Sequence, residues 1–116
     1  MSNIKLTREM VPANATHPGV LLKDELSERK IKQVDFAKNI GIAPNVLSEI
    51  ITGKRNITPA LAIKLEAALT IDAEYWMRIQ IKFEFDTIRI RHKKELMHSK
   101  ISPEKRLSME KAINPV

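Results

Sequence analysis

Between Gln33 and Arg55 two short apolar-periodic stretches flank one glycine and end on a second glycine followed by a basic pair. The run reads Gln33-Val-Asp-Phe-Ala-Lys-Asn-Ile-Gly41-Ile-Ala-Pro44-Asn-Val-Leu-Ser-Glu-Ile-Ile-Thr-Gly53-Lys-Arg55. Phe36, Ala37 and Ile40 recur at helical spacing, and Leu47, Ile50 and Ile51 do so again. Gly41 stands where a chain leaving a helix needs positive φ, which glycine adopts without strain. Pro44 suits a first helical turn, where its missing N–H has no intrahelical partner. These constraints predict two short helices around a tight turn, with Ile42 as a plug between them. Gly53 closes the second.

The rest of the chain supplies three more helices. Thr16 is read as the N-cap of the first, with Pro18 in its opening turn and Leu21, Leu22 and Leu26 as its apolar stripe. Glu25 and Glu28 are solvated, and the helix fades near Arg29–Lys30. Thr58-Pro59 starts the fourth helix, with Leu61, Leu65, Ala68 and Leu69 facing inward. Asp72 caps the fifth, and Glu74 in its first turn favours the positive end of the dipole. Ile79–Asp86 alternates apolar and polar residues strictly, which is a strand signal. Against a strand stand the cap at Asp72, the lack of Gly or Pro from Glu74 to Ser102 and the lack of any partner strand. Helix is the expectation.

On a helix this segment carries two stripes. Tyr75, Trp76, Ile79, Phe83 and Ile90 fall on one side and can cover a small bundle. Met77, Ile81, Phe85 and Ile88 fall on the other, where an uncovered apolar patch marks a dimer or partner seam. The organisation is therefore an arm (1–15), a domain (16–71, with the two-helix motif at 33–52), a fifth helix (72–92) and a basic tail (93–116). Beyond Lys100 a helical turn or disorder is expected. The fold class is all-α, with five helices.

Composition sets outer limits. Of 116 residues 43% are hydrophobic but only 4% aromatic, so the core is aliphatic and helical rather than a sandwich. Cysteine is absent, which excludes disulfides and thiolate metal sites and fits a cytoplasmic protein. There is no apolar run long enough to span a membrane, and the N-terminus lacks a secretory core. The net charge is +6, which invites a nucleic-acid reading. Its distribution weakens that argument. Residues 1–87 hold twelve Lys/Arg against eleven Asp/Glu, whereas residues 88–116 hold eight against three.

The Gln33–Arg55 run carries the argument instead. Two helices about a glycine turn, the second presenting polar side chains outward, match a helix-turn-helix DNA reader. Gln33 opens its helix, where a carboxamide and helix-end N–H groups can hold a phosphate. On the second helix Pro44, Asn45, Val46, Ser48, Glu49 and Thr52 point away from the core. Asn45 can read adenine bidentately, Ser48 can donate or accept, Val46 can touch a thymine methyl and Glu49 can accept from cytosine. Glu49 otherwise repels phosphate. Lys54, Arg55 and Asn56 follow and grip the backbone. No other chemistry competes. His17, His92 and His98 are not spaced as metal ligands, Ser48 has no neighbouring histidine, and there is no glycine-rich phosphate loop. Neither an enzyme, a metal, a cofactor nor a small-molecule substrate is expected.

Gln33 to Leu69 resembles the Xre-family helix-turn-helix domain of the Cro/cI (lambda repressor-like) type. His17-Pro-Gly-Val-Leu-Leu22, Gly53-Lys-Arg-Asn-Ile-Thr-Pro59 and Ala73-Glu-Tyr-Trp-Met-Arg-Ile-Gln80 resemble the HigA-type antitoxins of bacterial toxin–antitoxin modules. The resemblance covers roughly Thr16 to Asp86. It implies a five-helix homodimer on a palindromic operator, repressing its own operon. It further implies direct binding of a HigB-like toxin, a ribosome-dependent mRNA endonuclease. On matching positions it implies DNA contacts at Gln33, Asn45, Ser48, Lys54 and Arg55, and a Trp76–Gln80 region near the dimer seam. Lys32 and Ala43 replace the usual hydroxyl caps of the two motif helices, at about 1 kcal/mol each. Pro44 offsets part of the second loss by presetting φ. Two other readings are a regulator of this family without a toxin partner and an antitoxin that does not bind DNA.

Overall fold

The computed structural model describes residues 11–98 as five helices, α1 (Pro18–Glu28), α2 (Gln33–Ile40), α3 (Pro44–Ile51), α4 (Pro59–Leu69) and α5 (Ala73–His98). Every described element is a helix, as the sequence predicts. Ile79–Asp86 lies inside α5. A lone strand there would leave its backbone N–H and C=O groups unpaired, whereas a helix satisfies them within the segment. α5 continues through 93–98, the first part of the segment read as a basic tail. Residues 1–10 of the expected arm and everything expected beyond Lys100 lie outside the described residues.

Thr16–Phe83 form one compact unit, and the described residues from Glu84 on belong to another. The first unit has a single core of Leu22, Leu26, Phe36, Ala37, Leu47, Ile50, Ile57, Leu61, Ala62, Leu65, Leu69 and Trp76. Each of the five helices contributes to it. In the second unit Arg89 lies over the Phe85 ring at 5.2 Å and sits 3.9 Å from Asp86.

The ends of the helices show why the chain breaks where it does. α2 closes on Gly41 at φ 73°, and Gly53 follows α3 at φ 81°. α2 and α3 begin at Lys32 and Ala43 without side-chain caps, as their residue types dictate. Thr58 caps α4 by accepting from the Leu61 N–H at 3.3 Å. Arg29 donates from Nη2 to the Leu69 carbonyl at 2.8 Å and so satisfies one orphan acceptor at the end of α4.

Several expectations are corrected. α1 is capped by His17, not Thr16: imidazole Nδ1 accepts from the Gly19 N–H at 2.9 Å. Asp72 stands just before α5, its carbonyl accepting from the Tyr75 and Trp76 N–H groups, but the Ala73 N–H is taken by Glu66 Oε2 of α4 at 2.8 Å, which the sequence reading did not anticipate. Ala62, not Ala68, fills the inward position on α4; Ala68 is exposed. Tyr75 is exposed rather than covering the bundle, and its ring carries the Arg78 guanidinium 5.9 Å from its centroid. Met77 is half-buried against the core, so it belongs only in part to the outer stripe.

Candidate nucleic-acid interface

α3 rests on Leu47 and Ile50, which are fully buried, and this fixes which of its faces is free. Pro44, Asn45, Ser48 and Thr52 are exposed. Val46 is half-buried against the core, so less of it is available than its position in the sequence implies. The Thr52 hydroxyl donates to the Ser48 carbonyl at 2.9 Å, ending the helix and leaving its oxygen lone pairs free to accept. Gln33, at the start of α2, is exposed.

The turn after α3 is held by its backbone. Lys54 and Arg55 both donate their N–H groups to the Glu49 carbonyl, at 2.8 and 3.2 Å. The side chains of Lys54, Arg55 and Asn56 are exposed. Glu49, the acidic residue that sequence alone leaves unexplained, has its carboxylate 3.1 Å from Arg55 Nη2. Both partners are well solvated, so the pair adds little stability. Its consequence is electrostatic: the two charges offset each other, and the guanidinium is held beside α3.

The His17-Pro-Gly19 opening lies behind this turn. A Cβ on Gly19 would overlap the Ile50 carbonyl oxygen, so only glycine lets α1 approach the end of α3 this closely. The His17 ring packs within 3.7 Å of the Cβ position of Gly53 and edge-on to Phe83 at 4.8 Å. Gln80 and Trp76, which the resemblance places near a seam, are 1% and 0% exposed in the monomer. Trp76 is core. Gln80 accepts the Ile57 N–H at Oε1, 2.8 Å away, just beyond the basic turn. Sequence reading missed Gln80 as a structural residue, and its only signal there is a polar residue on a core-facing stripe.

Burial lowers the pKa of His17 below its ordinary value of 6.5, opposed by the Asn56 side chain and the Arg55 backbone. Capping requires the same state, since Nδ1 must be unprotonated to accept from Gly19. The neutral form is therefore favoured in the fold, and the unfolded chain binds more protons below pH 6.5. The resulting stability is complete above that pH and is lost as pH falls through the lowered value, at no more than about 1.4 kcal/mol per pH unit. Thermal melts at pH 7.5 and pH 5 should differ more for the wild type than for His17→Asn, which keeps a capping oxygen and does not titrate.

Among the described residues no group of three His, Asp or Glu side chains could hold a metal. No described helix is long and apolar enough to cross a membrane. An open groove of about 570 Å³ between α2 and α4, lined by Ile31, Phe36, Asn39, Ile40, Lys64, Ala67 and Ala68, has Lys64 as its one titratable side chain.

Comparison with known proteins agrees with this geometry. A helix-turn-helix family model matches residues 22–76. Virulence-associated protein A′ of Dichelobacter nodosus is 38% identical over 76 residues, which are 65% of this chain and 66% of that protein. The HTH-type transcriptional regulator YddM of Escherichia coli K12 is 34% identical over 71 residues, 61% of this chain and 76% of that protein. Among solved structures, the Pseudomonas aeruginosa antitoxin HigA with the higBA promoter superposes with a TM-score of 0.66 at 27% identity, covering 78% of this chain and 98% of that one. The chain belongs to the Xre/Cro-type helix-turn-helix family, and its fold is that of the HigA-type members.

Proposed function

We propose that this protein is a dimeric repressor that binds a palindromic operator of its own operon and also neutralises a HigB-like toxin, an mRNA endonuclease, by direct binding. One observation carries the DNA half. The exposed face of α3, with Asn45 and Ser48, runs into a backbone-pinned turn presenting Lys54, Arg55 and Asn56. The fold shared with a HigA antitoxin whose structure was solved with the higBA promoter supports the same reading. Pro44, Asn45, Val46, Ser48, Glu49 and Thr52 would face base edges, and Gln33, Lys54, Arg55 and Asn56 the phosphates. The ion pair between Glu49 and Arg55 supports the DNA reading, since it offsets the acidic charge on this face.

The partner half rests on α5. Ile81, Phe85 and Ile88 are exposed by 48, 54 and 49%. At spacings of four and three residues they follow one side of a helix, which suits a second copy or the toxin. A two-fold dimer would set its recognition helices about 34 Å apart, one turn of DNA.

Titration of a labelled duplex from upstream of the protein's own coding region tests the DNA claim. Affinity should fall with salt at a log–log slope near −0.9 per phosphate neutralised. Lys54→Ala combined with Arg55→Ala should weaken all duplexes alike and flatten that slope by about 2. Unchanged salt dependence in the double variant would remove the basic pair from the interface.

A further inference from the structure

The turn 54–56 is anchored at both ends by different parts of the molecule. At its start the Lys54 and Arg55 N–H groups donate to the Glu49 carbonyl, which ties the turn to α3. At its end the Ile57 N–H donates to Gln80 Oε1 across 2.8 Å, which ties it to α5. Both Ile57 and Gln80 are buried, at 2% and 1% exposure. The three side chains between these anchors are exposed.

Geometry makes the second anchor consequential. A turn tied only to α3 could swing about that attachment, since its far end leads into α4 through Ile57. A backbone N–H in a buried site must keep a partner, so the carboxamide holds Ile57 at one height relative to α5. The residues of α5 on either side of Gln80 are themselves packed. Trp76, one turn earlier on α5, is fully buried, and Phe83, almost one turn later, packs against the His17 ring, which lies against Gly53. The basic turn is thus clasped from below by α5 and by the start of α1. A turn whose backbone is already held when DNA arrives avoids the cost of ordering it on binding.

We propose that Gln80, which touches no DNA, is a positioning residue for DNA recognition: its buried carboxamide fixes the Lys54–Asn56 turn at the height of the phosphate backbone. This rests on the DNA-binding reading given above.

The test compares full-length wild type, Gln80→Met and Gln80→Glu on the upstream duplex across a salt series, with thermal melts alongside. Methionine keeps the length and shape but cannot serve as a strong acceptor. Glutamate keeps a carboxyl oxygen at the same place. Gln80→Met should raise the operator Kd about tenfold and make the salt slope shallower by about 1, as for loss of one phosphate contact. Gln80→Glu should recover most of both. In the Lys54→Ala, Arg55→Ala background Gln80→Met should have no further effect on binding. A Gln80→Met protein that melts earlier but binds with the wild-type Kd and slope overturns the proposal, as does equal weakening in both backgrounds. Wild type that binds no upstream duplex overturns the DNA reading and this proposal together; wild type and Gln80→Met binding alike overturns this proposal alone. Amide exchange on the wild type is an arm that needs no variant: the Ile57 N–H should be protected before DNA is added, and exchange at the rate of a solvent-exposed amide overturns the clasp.

Discussion

Trp76→Ala should cost about 3–5 kcal/mol of folding stability, a large part of what a small domain possesses. The indole is fully buried in the first turns of α5 and is the largest such side chain in the protein. It joins a core otherwise built of aliphatic groups and Phe36, drawn from every helix. Neighbours in a five-helix domain this small have few ways to collapse into the vacated space. The loss therefore includes both the transfer term and a residual cavity. Urea unfolding should show a lower midpoint with an unchanged slope, the mark of altered stability rather than altered denatured state. Trp76→Phe should cost less. It keeps much of the volume and removes an indole N–H that is buried without a hydrogen-bond partner among the described residues. A loss below about 1 kcal/mol for alanine would mean that α5 is not part of this core.

Gly19→Ala should cost about 3 kcal/mol or more, through overpacking rather than through backbone conformation. Gly19 lies within α1 and does not have positive φ. The obstacle is the Ile50 carbonyl, which the new Cβ would overlap, with the Ile50 carbonyl carbon only 2.9 Å away. These are backbone atoms and cannot swing aside, so α1 must lift from the end of α3. Gly41 offers the contrast. Its φ is +73°, yet a Cβ there would meet nothing nearer than Lys64 Nζ at 3.9 Å. Gly41→Ala should cost only about 1 kcal/mol, the ordinary price of a left-handed alanine. The order of the two midpoints is the decisive reading. Equal losses would show that the closeness of α1 to α3 is not what Gly19 serves. Because α3 and the turn after it shift with α1, Gly19→Ala should also weaken operator binding in whatever fraction stays folded.

Much of the fold was legible because glycine and proline punctuate it. Gly41, Pro44, Gly53 and Pro59 mark the ends and starts of α2, α3 and α4 within a residue or two, since each has one physical role at such a place. The helical reading of 79–86 needed an argument about backbone pairing that periodicity alone does not contain. What escaped sequence reading shares one property: the partner is remote or unusual. Glu66 and Gln80 cap backbone N–H groups seven and twenty-three residues away, and no local pattern announces either. His17 replaced Thr16 as a cap because an imidazole nitrogen can accept as a hydroxyl oxygen does. Alanine carries so little hydrophobic signal that Ala62 and Ala68 could be exchanged. Glu49 was conspicuous in the sequence, and its partner six residues on became clear only once the turn after α3 was placed. The proposed reading face was legible as a set of outward positions on α3; its support from His17, Gly19 and Gln80 was not.

The central claim is that DNA meets α3 and the turn that follows it. Its most direct test is an amide map of the full-length protein titrated with the upstream duplex at low salt. The account predicts that the largest shifts fall on Gln33, Asn45, Ser48 and Lys54–Asn56, while Ile63 on the exposed side of α4 is unmoved. Shifts confined to other surfaces, with Asn45 and Lys54–Asn56 unperturbed at saturating DNA, would contradict it.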